Sequence, residues 1–209
     1  MIYAIGDSFT YGDELNSQEQ AWPAVLSKLL NRPITNWGKS ASGNTRCVKR
    51  AIDAVLDDAE MIIIGWTDPI RHEFADETGI YDIWAGRNFR AFQRDNTHRI
   101  DLIKYLTAYD VPEYYYAQWL RQIILVQSLC KLHNVPCVMF IACAANHSHE
   151  DFATNWPKLI NAIDQEQFVG GMETNVQIWT YGLPKGPNNH TLELGHRLIA
   201  EKIYEHIRN

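Results

Sequence analysis

The sequence predicts an α/β fold: a three-layer α/β/α sandwich in which helices cover both faces of a central parallel sheet of about five strands, with an inserted cap region. Three observations predict it. Short runs such as Met61-Ile62-Ile63-Ile64 are apolar at every position, the mark of strands buried on both faces. These runs alternate with longer stretches of helical spacing. Only the stretch 71–112 breaks the alternation, so it reads as an insertion in one domain spanning 1–209. The length of 209 residues, against roughly 150 per domain, agrees.

Taken in order, Ile2–Ile5 is the first strand, stopped by Gly6. Trp22–Leu30 is a helix, with Trp22, Val25, Leu26, Leu29 and Leu30 on one face. A second strand is expected at 33–37. A helix follows at 45–56, with Val48, Ala51, Ile52 and Val55 on one face. The run 61–64 is a buried strand ended by Gly65. After the insertion come a long helix at 115–132, a strand Cys137–Ile141 opened by Pro136, and a helix at 156–163. The run Val176–Trp179 is expected to be a last short strand, and 192–207 the final helix. The insertion is polar and aromatic, with Phe74, Tyr81, Trp84, Phe89, Phe92 and Tyr105. A connection of that length in one domain is usually functional. It reads either as a partly helical lid (helix at 100–109) over the crevice or as a contact between copies in a homo-oligomer.

The formal net charge of −6 disfavours nucleic acid and anionic membrane surfaces as partners, since both need a basic face. No signal peptide and no spanning apolar run is visible, so a cytoplasmic protein is expected. Cys47, Cys130, Cys137 and Cys143 form no CxxC, which leaves no disulfide scaffold and no zinc motif.

In sheets of this kind ligands bind beyond the carboxyl ends of the strands. That rule gathers Gly6-Asp7-Ser8, Gly65-Trp66-Thr67-Asp68 and 142–149 around one crevice. Ser8 stands at a sharp strand-to-helix turn, where a serine is exposed at the top of the sheet. It is a weak nucleophile until a base takes its proton. A phosphate-binding turn is the alternative, but Gly6 to Gly12 is neither GxGxxG nor a P-loop. Gly43 precedes a helix, where its amide is the kind of donor an oxyanion hole uses. His190 lies in a loop before Thr191, which reads as the N-cap of the final helix. Asp7 reads as a turn-former. Asn146, His147 and His149 read as a polar loop near the crevice.

The order of these blocks, GDSFTYG, then NWGKSASGNT, then GWTD, then a histidine before a terminal GHxxxA helix, resembles the SGNH/GDSL hydrolase superfamily. The resemblance runs from Ser8 to the last helix. It implies a flavodoxin-like sandwich with serine esterase or O-deacetylase activity, no metal or organic cofactor, and a small ester or acylated glycan as substrate. Carried over by position, Ser8 is the nucleophile, the amides of Ser8 and Gly43 are oxyanion donors, and His190, five residues before Gly195, is the general base.

Two departures stand out. The family's GxND block has an asparagine donor where this chain has Thr67, whose hydroxyl is a shorter donor; Trp66 and Arg71 are then expected to shape or charge the pocket. The family's DxxH block has an acid where this chain has Pro187. Three accounts of the missing acid stay open. His190 works as a dyad against a backbone carbonyl; an acid elsewhere in the crevice serves, with Asp68 the candidate; or the pair is Glu193 and His196, which have ExxH spacing. The departures also motivate a rival, a fold that binds a carbohydrate or another ligand without turnover, or serves a structural role.

Overall fold

The computed structural model describes residues 1–76, 79–84, 112–143 and 154–209. The helix expected at 100–109 lies outside them, as do Phe89, Phe92, Tyr105, Asn146, His147 and His149. The described chain runs β1 (Ile2–Ile5), α1 (Ser8–Tyr11), α2 (Trp22–Leu30), β2 (Ile34–Asn36), α3 (Asn44–Leu56), β3 (Met61–Trp66), β4 (Arg71–Asp76), β5 (Gly79–Trp84), α4 (Pro112–Leu132), β6 (Cys137–Ile141), α5 (Pro157–Ala162), α6 (Val176–Trp179) and α7 (Glu193–Arg208).

Four strands form one parallel sheet in the order β2-β1-β3-β6. Ile2 opposes Ile34 on one side and Met61 on the other, and Trp66 opposes Ile141. Successive side chains point to opposite faces, and each face has its own core. Tyr3, Ile5, Ile62, Ile64 and Met139 pack with α3 and α4 through Ala51, Val55, Leu120 and Ile123. Ile2, Ala4, Ile63 and Phe140 pack with α2 and α7 through Trp22, Leu26, Ile199 and Ile203. That division is why the strands read as continuous apolar runs. It confirms the α/β layering, with four strands.

The expected strand at Val176–Trp179 is instead the helix α6. Asn175 caps it, its side chain accepting the Ile178 amide at 3.0 Å. The fifth position of the sheet is held by a single bridge, Phe168 beside Met139, with the Val169 amide donating to the Met139 carbonyl at 2.9 Å. Thr191 is not the cap of α7 either. The helix starts one residue later, on the Leu192 carbonyl, with no side-chain cap.

The inserted stretch opens with the antiparallel hairpin of β4 and β5, Arg71 opposite Trp84. The Glu73 carboxylate ties it to α3, receiving Arg46 at 3.1 Å and Lys49 at 3.0 Å. Among the described residues no helix is long and apolar enough to cross a membrane.

Candidate active site

Three strand ends converge as the topology requires. β1 delivers Asp7 and Ser8, β3 delivers Thr67, and β6 delivers Cys143. They meet at the Asp7 carboxylate, which is fully buried. Its Oδ1 accepts the Phe9 amide at 3.0 Å. Its Oδ2 accepts the Thr67 hydroxyl at 2.7 Å, Arg71 Nη1 at 3.1 Å and the Cys143 thiol at 3.2 Å. The residue read as a turn-former is thus also the joint between the strand ends.

Above this joint lies a cavity of about 410 Å³ lined by Ser8, Arg71, Cys143, Asn188 and His190, among others. Ser8 is the first residue of α1, and the left-handed Gly12 (φ 93°) ends that helix after one turn. The chain then reverses, with Glu14 also left-handed at φ 67°, a strained conformation for a residue with a Cβ. The reversal turns the Glu14 carboxylate back toward the 186–190 loop. Glu14 Oε2 meets His190 Nδ1 at 2.9 Å and accepts the His190 backbone amide at 3.2 Å. Glu14 Oε1 accepts the backbone and side-chain N–H groups of Asn188 at 2.8 and 3.0 Å. A Cβ on Gly186 would stand 2.6 Å from the Glu14 carboxyl carbon, so a larger residue there would displace the carboxylate from this position.

The partner of His190 is therefore Glu14, which the sequence reading missed. Neither Asp68 nor a dyad against a carbonyl describes this site. Burial pushes the Glu14 carboxyl up, but the hydrogen bonds from Asn188 and His190 and the His190 charge outweigh it and hold the group below its ordinary value. With Nδ1 facing a carboxylate, the ring keeps its proton there and leaves Nε2 as the basic nitrogen. The Phe9 ring stands edge-on to the imidazole at 5.2 Å between centroids and limits its swing.

Several other expectations are corrected. Thr67 gives its hydroxyl hydrogen to Asp7 and does not line the cavity, so it is not an oxyanion donor. Trp66 is buried in the core shared with α3 and α4 and touches no substrate space. Asp68 accepts the Ile70 amide and shapes the turn into β4. Arg71 does line the cavity, its guanidinium paired with Asp7. Gly43 is the N-cap of α3, its Cβ position 3.1 Å from the Arg71 carbonyl. It does not itself line the cavity, although Ser40 and Ala41 of the same segment do. Burial, with the Asp7 charge adding to it, pushes the Cys143 thiol well up. It stays protonated and offers no thiolate to compete with Ser8.

The alternative pair Glu193 and His196 is excluded by position. Glu193 faces solvent and accepts Gln20 at 3.0 Å. His196 is fully buried, and its Nδ1 accepts the first amide of α2, that of Trp22, at 3.2 Å. Burial, with a smaller contribution from His190, lowers its pKa to about 4. An imidazole in the unfolded chain titrates near 6.5. The folded value is the lower one, so between these limits the unfolded chain binds more protons. Stability is then complete above pH ~6.5 and falls as pH drops toward ~4, by about 3 kcal/mol in all. Equilibrium guanidinium denaturation from pH 7 to pH 4.5 should show this decline in wild type and a flatter profile in His196→Gln. Parallel profiles would mean that His196 does not carry it.

No protein-family model and no curated protein matches the sequence. Solved structures do match in fold. A protein assigned to the G-D-S-L lipolytic family, from Desulfitobacterium hafniense DCB-2, aligns at a TM-score of 0.57 and 14% identity, covering 98% of each chain. The psychrotrophic esterase EstA from Pseudoalteromonas sp., in a structure inhibited by monoethylphosphonate, aligns at 0.57 and 14%, covering 99% of this chain and 96% of that one. The acetyl xylan esterase AlAXEase aligns at 0.53 and 11%, covering 98% of each. The chain has the SGNH/GDSL hydrolase fold.

Proposed function

We propose that this protein is a serine hydrolase of small esters, with Ser8 as nucleophile, His190 as general base and Glu14 as the acid that orients it. The observation that carries the reading is the Glu14–His190 pair at 2.9 Å, in the wall of the cavity that Ser8 also lines. Ser8 Oγ attacks the ester carbonyl carbon while His190 Nε2 takes its proton. Glu14 stabilises the imidazolium that forms. The backbone amide of Ser8, which lines the cavity, is the proposed donor to the oxyanion. As the tetrahedral intermediate collapses, His190 returns the proton to the leaving alcohol. Water, deprotonated by the same nitrogen, then attacks the acyl-Ser8 ester and releases the acid.

The substrate proposed is an O-acetyl group on a carbohydrate. Supporting it are the acetyl xylan esterase above and a two-domain esterase active on acetylated mannans, which aligns at 12% identity over 48% of its length. The acid at position 14 removes the gap at Pro187 as grounds for a binding module without turnover.

A fluorophosphonate probe should label Ser8 and no other residue, since only a deprotonated, oriented serine displaces its leaving group. Ser8→Ala should abolish both labelling and aryl acetate hydrolysis. Wild-type protein that stays folded but unlabelled between pH 6 and 9 would overturn the assignment.

A further inference from the structure

A second cavity, of about 230 Å³, lies where α3 and α4 begin, and Arg71 belongs to its wall as well as to that of the first. We propose that it binds one neutral sugar ring of the acylated substrate, against Tyr114 and Tyr115 and hydrogen-bonded by Gln118 and Gln122. This deepens the ester-hydrolase reading and rests on it.

Size, charge and hydrogen bonding each support the proposal. The volume falls short of the roughly 300–1,000 Å³ of sites for drug-sized ligands, so it suits a single ring. Arg71 is the one charged residue lining it among those described, and its guanidinium is already matched by Asp7 at 3.1 Å. The cavity therefore does not select an anion.

Apart from Thr45 and Pro69, the rest of the described lining is aromatic and carboxamide chemistry. The Tyr114 and Tyr115 rings stand nearly perpendicular, 5.4 Å apart, and Tyr114 is 56% exposed. A phenol ring offers an apolar face to the C–H side of a pyranose and a hydroxyl to its rim. Gln118 Nε2 donates to the Tyr114 hydroxyl at 2.8 Å. That leaves the Gln118 carbonyl as an acceptor and the Tyr114 O–H as a donor for a ligand. Gln122 adds a further carboxamide to the wall. Sugar hydroxyls both donate and accept, as these groups require. A long acyl chain would strip water from the same amides and give them no partner.

The test separates the cavity from the chemistry. Ser8→Ala protein, which does not turn over substrate, is titrated by calorimetry with xylotriose and mannotriose in separate experiments, each with and without decanoate. Binding of at least one trisaccharide is expected. Adding Tyr114→Ala or Gln122→Ala should weaken it at least fivefold, and decanoate should not compete. Binding of neither sugar, equal affinity in the variants, or displacement by decanoate would each overturn the proposal. In the active protein, the same substitutions should lower the ratio of kcat/KM for acetylated xylo-oligosaccharide to that for an aryl acetate at least tenfold, through KM. Should wild type hydrolyse neither ester while the variants still lose the sugar, the hydrolase reading fails and the cavity assignment stands.

Discussion

Glu14→Gln is expected to lower kcat for a short-chain aryl acetate by about 10²–10⁴-fold, with KM close to wild type, because the change removes an interaction made fully only when His190 is charged. The carboxylate accepts four N–H groups, two from Asn188 and two from His190. A carboxamide of the same shape has one accepting oxygen. If its NH2 faces His190, the ring turns its lone pair to that side and carries its proton on Nε2, which can then no longer act as base. If its oxygen faces His190, the geometry survives but the imidazolium has no counter-charge. Either arrangement slows the chemical step, and fluorophosphonate labelling should slow with it. Asp68→Asn supplies the contrast. Asp68 Oδ1 is occupied by the Ile70 amide, so that variant should lose only a few fold. A reversal, with Glu14→Gln near wild type and Asp68→Asn slow, would move the acid to position 68.

How much of this was legible in the sequence follows from which interactions are local. The sheet was legible because its strands are apolar on both faces: Ile62 and Ile64 serve one core and Ile63 the other. The run Val176–Trp179 was not, since four residues, three of them apolar, fit a strand or a helical turn equally well. The deciding signal was the adjacent Asn175, a good N-cap. The hairpin of β4 and β5 was missed because Arg71-His72-Glu73 opens it with polar residues and no alternation.

In the site, Ser8 and His190 could be read because each sits at a fixed offset from a glycine or a helix end. Glu14 could not, because it is 176 residues from His190 and reaches it only through a left-handed backbone. The nearest signal was its place in the turn just after the nucleophile helix, facing a segment made slim by Gly186. Asp7 was half legible. Its turn hydrogen bond to Phe9 is local, but its burial under Thr67, Arg71 and Cys143 depends on where three strand ends meet.

That buried joint is where the largest loss of stability is expected. In Asp7→Ala, Arg71 keeps its charge with its side chain only 6% exposed and loses the carboxylate that stood 3.1 Å from it. Removing one partner of a buried pair costs about 3–5 kcal/mol. For a chain of this size each kcal/mol moves Tm by about 2–4 °C, so a fall of roughly 6–20 °C is expected by calorimetry. Replacing Arg71 as well isolates the cause. If the guanidinium's loss of Asp7 carries the cost, Asp7→Ala/Arg71→Met should melt well above the single variant, since an apolar pair of similar volume frequently replaces a buried ion pair without loss. Strictly additive effects would place the cost in the lost Phe9 and Thr67 hydrogen bonds instead. Activity should not recover with Tm. The double variant still lacks the acceptor that holds the Phe9 amide at 3.0 Å, and with it the turn that presents Ser8. Restored melting with a persistently low kcat would separate the two roles of Asp7, charge partner to Arg71 and anchor of the nucleophile turn.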